Sequence, residues 1–206
     1  MSHKILVVED VPAVRELLEI TLQFKGYQVE TTANGQEALE SIAAQRPDLV
    51  ITDILMPHLD GYALAQRLRS DPQTRLLPII FISATYVSTD DKEFALHLGA
   101  VRFLEKPIDT DEFLLTVAEV LQEGASPATP PLDDETFYRG YMARLENKQR
   151  YKSAQIARLE RLIPTLPETQ RPAFAAMLAE ARRERQTIRE EMEKVRQILE
   201  NPPKGS

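Results

Sequence analysis

Two hydrophobic periods divide this chain. Up to about residue 123, short apolar runs alternate with stretches of helical spacing; from Asp133 onward only the helical spacing remains. The first run is Ile5-Leu6-Val7-Val8, ending in Glu9-Asp10, after which Pro12 can open a helix at its first turn. Val14, Leu17, Leu18, Thr21 and Leu22 recur at helical spacing to Phe24, and Gly26 is a stop. Tyr27 to Thr32 reads as a second strand near a sheet edge. Asn34-Gly35 leads into a helix carrying Ala38, Leu39 and Ile42, ended by Pro47. Asp48 to Asp53, with β-branched Val50, Ile51 and Thr52, reads as a strand buried on both faces. Tyr62, Leu64, Ala65 and Leu68 mark a third helix, Pro78 to Ser83 a fourth strand, and Asp90 to Leu98 a fourth helix stopped by Gly99. Val101 to Leu104 is a fifth strand. Asp109 then caps a helix with Phe113, Leu114, Val117, Val120 and Leu121 on its apolar face. Five βα units in succession predict an α/β fold, a five-stranded doubly wound parallel sheet covered by helices.

Residues 124–132 carry three prolines among small residues and read as a semi-rigid, Pro-rich linker. Residues 133–200 predict an all-α antiparallel hairpin or coiled coil, and 201–206 a tail. A 4-3 spacing selects Tyr138, Met142, Leu145, Gln149, Lys152, Ile156, Leu159 and Ile163 in the first helix. In the second it selects Phe174, Leu178, Ala181, Arg185, Ile188, Met192, Val195 and Leu199. Folded antiparallel, Ile163 meets Phe174, Ile156 meets Ala181 and Tyr138 meets Leu199, so the register closes without slippage. The predicted length is about 40 Å, from ~28 residues at ~1.5 Å each. The same register sets Lys152 against Arg185, a like-charge layer that needs an acidic neighbour or exposure. Tyr141, Tyr151, Leu162, Met177 and Ile198 fall off the seam. They are expected to stay partly in water unless two hairpins pair as a homodimer.

Charge adds an asymmetry. Residues 1–123 hold 10 Lys/Arg against 20 Asp/Glu, and 124–206 hold 15 against 12. An acidic first part disfavours nonspecific nucleic-acid binding. The first hairpin helix, with seven Lys/Arg against Glu146 and Glu160 over 136–163, leaves a DNA-binding output as the alternative. No turn-linked pair of short helices suited to a DNA groove is evident. Without cysteine there is no disulfide, thiol chemistry or Cys-based metal site. No apolar run approaches a membrane span and no secretory signal precedes the first strand, so a cytoplasmic location is expected.

In a parallel α/β sheet, ligands bind beyond the carboxyl ends of the strands. No Gly-rich phosphate loop stands at any strand end here. The polar groups at those ends are Glu9, Asp10, Asp53, Ser83 and Lys106. Asp53 alone could be a strand-end acid that satisfies loop amides. Clustered with two further acids, it calls for a cation, and a hard oxygen-ligand ion such as Mg²⁺ is the natural guest. Asp53 could then act as a nucleophile toward phosphorus, with Ser83 and Lys106 donating to the phosphoryl oxygens. His58 and His97 read as a solvated loop residue and a helix-surface residue.

These residues resemble the receiver domain of two-component response regulators over 4 to about 123, a flavodoxin-like fold. The resemblance rests on Glu9-Asp10, Asp53 before Met56-Pro57 and Asp60-Gly61, Ser83-Ala84, and Gly99-Ala100 followed by Phe103-Leu104-Glu105-Lys106-Pro107. It implies that Asp53 accepts phosphate from a histidine kinase or phosphotransfer protein. It implies that Glu9, Asp10, Asp53 and the Leu55 carbonyl hold Mg²⁺, and that Ser83 and Lys106 clasp the phosphate. It also implies that Phe103 swings inward, against the plainer alternative of a packed strand residue, and that the bond before Pro107 is cis. The family further assigns influence over attacking water to the positions of Leu55 and Thr85. Neither is an acid or amide, so a long-lived phosphoryl state is expected. No catalysis is expected beyond the receiver's own phosphoryl transfer and dephosphorylation, with output to an unknown protein through the hairpin.

Overall fold

The computed structural model describes residues 3–84, 89–124 and 132–201. The chain divides into two compact units, Met1–Leu132 and Asp133–Ser206. Most of the expected linker and tail, 125–131 and 202–206, lies outside the described residues, as does Thr85.

The first unit is a five-stranded sheet in the order β2-β1-β3-β4-β5, parallel throughout. Its strands are β1 (Lys4–Val8), β2 (Gln28–Thr32), β3 (Leu49–Asp53), β4 (Ile79–Ala84) and β5 (Arg102–Lys106). Between and after them run α1 (Pro12–Phe24), α2 (Gly35–Ala44), α3 (Gly61–Ser70), α4 (Thr89–His97) and α5 (Thr110–Glu123). Strand residues alternate between the two faces of the sheet. Ile5, Val7, Leu49, Ile51, Ile80 and Ile82 pack with Leu18 and Leu22 of α1 and Phe113, Val117 and Val120 of α5. On the other face Tyr62 of α3 meets Phe81 and Phe94 edge-on, at 5.7 and 5.2 Å between centroids. The strand order turns about β1 and β3, so their carboxyl ends flank the topological switch point where α/β sheets bind ligands.

Helix starts follow the expected chemistry. The Asn34 side chain accepts the amides of Gln36 and Glu37 at 3.0 Å, and Asp109 those of Asp111 and Glu112 at 3.0 and 2.9 Å. β5 is placed two residues later at its end than its apolar pattern suggests. Ser83 pairs with Glu105 and Ala84 with Lys106, so Lys106 is the last residue of the strand.

The second unit is a hairpin of α6 (Asp134–Leu162) and α7 (Arg171–Glu200), joined through a 3₁₀ turn at Ile163–Thr165. Asp133 caps α6 through the Thr136 amide, 2.8 Å away. All eight expected seam positions of α7 are buried or half-buried, and so are those of α6. One expectation is corrected. Tyr141, placed off the seam and in water, is only 2% exposed. It stacks on Phe137 with centroids 5.5 Å apart, four residues earlier on the same helix face. The Lys152–Arg185 layer has the acidic neighbour it was expected to need, because Glu184 of α7 pairs with Lys152. Arg182 likewise pairs with Glu160 across the hairpin at 2.6 Å. Tyr151 and Met177 remain about half exposed, and Leu162 and Ile198 are half-buried.

Candidate functional site

β1 and β3 deliver three carboxylates to one place. Glu9 and Asp10 follow directly on β1, and Asp53 closes β3. Each of Glu9, Asp10 and Asp53 offers a ligand atom within 4.8 Å of the others. Lys106, from the end of β5, reaches across: its Nζ donates to Glu9 Oε2 at 2.7 Å and Asp53 Oδ2 at 2.8 Å. The other Asp53 oxygen, Oδ1, accepts the amides of Ile54 at 2.6 Å and Leu55 at 3.3 Å. These bonds fix the rotamer of the carboxylate. The Lys106–Pro107 peptide is cis, as the resemblance implied.

Electrostatics follow burial. Burial is the largest influence on Glu9, which is 1% exposed, and holds its carboxyl above the ordinary 4.5 despite the bond from Lys106. The nearby Asp53 charge pushes in the same direction. For Lys106, burial is again the largest single influence and pulls downward. The charges and hydrogen bonds of Asp53 and Glu9 together outweigh it and hold the ammonium above 10.5. The two partners differ because one ammonium has two carboxylates, while the buried Glu9 must share its cation with Asp53.

Ser83, at the end of β4, is buried, and its Oγ has no hydrogen-bond partner. A buried polar group left unbonded costs free energy, so an unpaired hydroxyl beside a carboxylate cluster is where an added oxygen-rich group is expected. Phe103 is half-buried on β5. Leu55, two residues beyond Asp53, is exposed in the following loop, and His58 is exposed there in the left-handed region at φ 65°.

Two further residues support the site: Arg15, which the sequence reading did not single out, and Gly61, which it named only within the Asp60-Gly61 pair. The Arg15 guanidinium donates to the carbonyls of Glu9 at 2.6 Å and Asp10 at 3.4 Å, and so holds the backbone that carries both acids. Its place five residues after Asp10, on the first turn of an amphipathic helix, was the available signal. Gly61 lets α3 begin directly against the acceptor strand. A Cβ there would stand 2.3 Å from the Asp53 carbonyl oxygen.

A buried acidic cluster bridged by a lysine, at the switch point of a five-stranded parallel sheet, defines a receiver module. The sequence model of the response regulator receiver domain matches residues 5–118, and the chain belongs to that family. It is 42% identical over 122 residues to the response regulator MprA of Mycobacterium ulcerans, a match covering 59% of this chain and 51% of that protein. It is 33% identical over 161 residues to a probable transcriptional regulator, ycf27, of Cyanophora paradoxa, covering 77% of this chain and 66% of that one. The receiver domain of the sensor histidine kinase PA1611 from Pseudomonas aeruginosa PAO1 superposes with a TM-score of 0.55 at 31% identity. That match covers 59% of this chain and 99% of that one. A magnesium ion is coordinated in the active site cleft of that structure. The chain thus spans about half the length of the first of these curated relatives.

Proposed function

We propose that this chain is a response regulator whose Asp53 accepts a phosphoryl group from a histidine kinase or phosphotransfer protein, and whose hairpin carries the output. The observation that carries the reading is the Lys106 bridge between Glu9 and Asp53, with the unpaired Ser83 hydroxyl buried at the adjoining strand end. An Asp53 oxygen attacks phosphorus, the bond from phosphorus to the donor nitrogen breaks, and Lys106 and Ser83 donate to the transferred oxygens. Glu9, Asp10 and Asp53, with the Leu55 carbonyl, would hold Mg²⁺; three carboxylates and no nitrogen or sulfur ligand suit a hard cation. The ion would neutralise charge on the phosphoryl group. Incubation with Mg²⁺ and a small phosphodonor should add one phosphate to the intact mass. The Asp53→Asn protein should add none, and its robust phosphorylation would reject the assignment.

A helical phosphodonor needs a surface beside the site, and α1 offers one. Leu17, Ile20 and Phe24 lie along one helix face and are 63%, 57% and 85% exposed. Large apolar residues clustered in water mark a contact surface. Phe103 moves with Ser83 once phosphate is bound. The hairpin pairs with a second copy through Tyr151 and Met177, which it leaves half exposed. An unidentified protein receives the signal, and the setting is the cytoplasm. No helix among the described residues is long and apolar enough to cross a membrane.

The second reading is a DNA-binding regulator that uses the basic α6. The cross-helix pair Lys152–Glu184 weighs against it, since it engages one of the basic residues of α6 with an acid of α7. Salt-dependent binding to duplex DNA decides between the two.

A further inference from the structure

Phe103 and Glu105 stand two residues apart on β5, so their side chains share one face of the strand. Leu104 between them packs against the core beneath α1 and α5. Phe103 and Glu105 therefore face the α4 side. Lys92 of α4 meets both of them. Its Nζ lies 5.8 Å from the centroid of the Phe103 ring, and it pairs with the Glu105 carboxylate. An ammonium within about 6 Å of an aromatic face is attracted to the ring quadrupole. Glu105 aims that ammonium, because a flexible four-carbon stem would otherwise sample many directions. Phe103 itself lines a groove with Lys92, Pro107, Ile108 and Phe113. In the β4–β5 ladder Phe81 stands beside Phe103 and Ser83 beside Glu105. The aromatic ring, the acid that aims the ammonium and the unpaired hydroxyl thus form one patch across two strands.

We propose that Lys92 and Glu105 form a latch that holds Phe103 in the groove and sets how much of the protein adopts the signalling conformation before phosphate arrives. The inference rests on the reading above in which Phe103 moves with Ser83. Movement of the ring toward Ser83 strips it from the ammonium, while Glu105 keeps Lys92 where it is. The lost contact is made only in the resting conformer, and a contact made in one of two states shifts their ratio by its full strength. An isolated surface ion pair contributes little by itself. Here it gains a conformational role by orienting a cation over a mobile ring.

The test is aromatic relaxation-dispersion and saturation-transfer NMR on the unphosphorylated, full-length protein with labelled phenylalanine. It reads the population of the minor Phe103 state directly. Lys92→Met keeps the apolar stem and removes the charge. It should raise that population about two- to fivefold, the ratio an exposed cation–π contact supports. Lys92→Arg keeps a cation for the ring and should match the parent, and Glu105→Gln should raise the population by less than Lys92→Met. An unchanged population in Lys92→Met, no detectable exchange in that variant, or an equal rise in Lys92→Arg overturns the latch. Intact mass after phosphodonor treatment of the same samples reports on Asp53 separately. Normal phosphorylation with an invariant population rejects the latch alone. A Lys92-dependent population without phosphorylation rejects the phosphoacceptor assignment alone.

Discussion

Replacing Gly61 with alanine tests how closely α3 is pressed onto the acceptor strand. Alanine at a helix position ordinarily gains about 0.5–1 kcal/mol over glycine, from helix propensity and a smaller loss of chain entropy. At Gly61 the new methyl carbon would stand 2.3 Å from the Asp53 carbonyl oxygen and 3.0 Å from the Ile54 Cα. Both are backbone atoms, so no side chain can swing away. Favourable non-bonded separations are ~3.5–4.0 Å, so the backbone must open by roughly 1 Å. Overpacking of this kind costs about 1–3 kcal/mol, which exceeds the propensity gain and leaves a net loss. The displacement falls on the residue whose Oδ2 lies 2.8 Å from Lys106. A misplacement of about 1 Å in a reacting group can cost roughly a hundredfold in rate. Urea unfolding should therefore show reduced stability, and a mass time course with a small phosphodonor a rate at least about tenfold lower. Gly26→Ala is the control. Nothing lies within 4 Å of its added carbon, but φ is +86°. It should cost about 1–2 kcal/mol through backbone strain alone and leave phosphorylation intact. A Gly61→Ala protein as stable as its parent, with an unchanged rate, would refute the reasoning.

Other outcomes follow from features already described. Arg69 is buried, and burial pulls its guanidinium down to about 10, still fully charged at neutral pH. It donates to the carbonyls of Leu77 at 2.9 Å and Gly99 at 2.7 Å. Arg69→Met should lose about 1–3 kcal/mol in urea unfolding, and an unchanged midpoint would mean that water replaces the donor freely. Glu9 has a folded-state pKa above its ordinary 4.5, so its contribution to stability is full below that pH and is lost as pH rises through the folded value. With chelator present, Glu9→Gln should be more stable than the parent at pH 7, and the gap should close on acidification toward 4.5. A gap that widens on acidification would reverse the sign. Leu17→Glu on α1 should slow phosphorylation by a cognate kinase by about tenfold or more, equivalent to roughly 1.4 kcal/mol, and leave a small phosphodonor's rate unaffected. Equal loss with both donors would place the defect in the site. Light scattering should find the full chain dimeric at micromolar concentration and the Tyr151→Lys, Met177→Lys double variant monomeric. A parent that is monomeric under those conditions removes the hairpin as a pairing element.

The strand ends were legible because a buried strand followed by an acid and then a turn signal is a local pattern. Asp53, with Met56-Pro57 and Asp60-Gly61 behind it, needs no long-range information. Lys106 was found as a residue but not as the end of β5. The strand closes with Glu105-Lys106, and hydrophobic spacing cannot see polar residues that extend a ladder. Arg69 was invisible for a related reason. In Gln66-Arg67-Leu68-Arg69 it reads as a solvated helix residue, and only the distant carbonyls of Leu77 and Gly99 make burial favourable. In the hairpin, the 4-3 spacing located the seam, but it does not say which flanking glutamate turns inward. Glu184, one residue before Arg185, was therefore missed as the partner of Lys152.

The hairpin seam also limits how this chain can change in length. An insertion of one residue in α7 would rotate everything beyond it by about 100° about the helix axis. Lys194 would then take the position now held by Val195, while the facing residues of α6 stayed in place. Seven residues make close to two turns and restore the face, but the added layer then needs an opposing one in α6. Length in this unit is therefore quantised, with paired heptads as the natural step. Related hairpins that grow or shrink by this step should keep their central ion-paired layer, and those altered by one or two residues should need a compensating change in the partner helix.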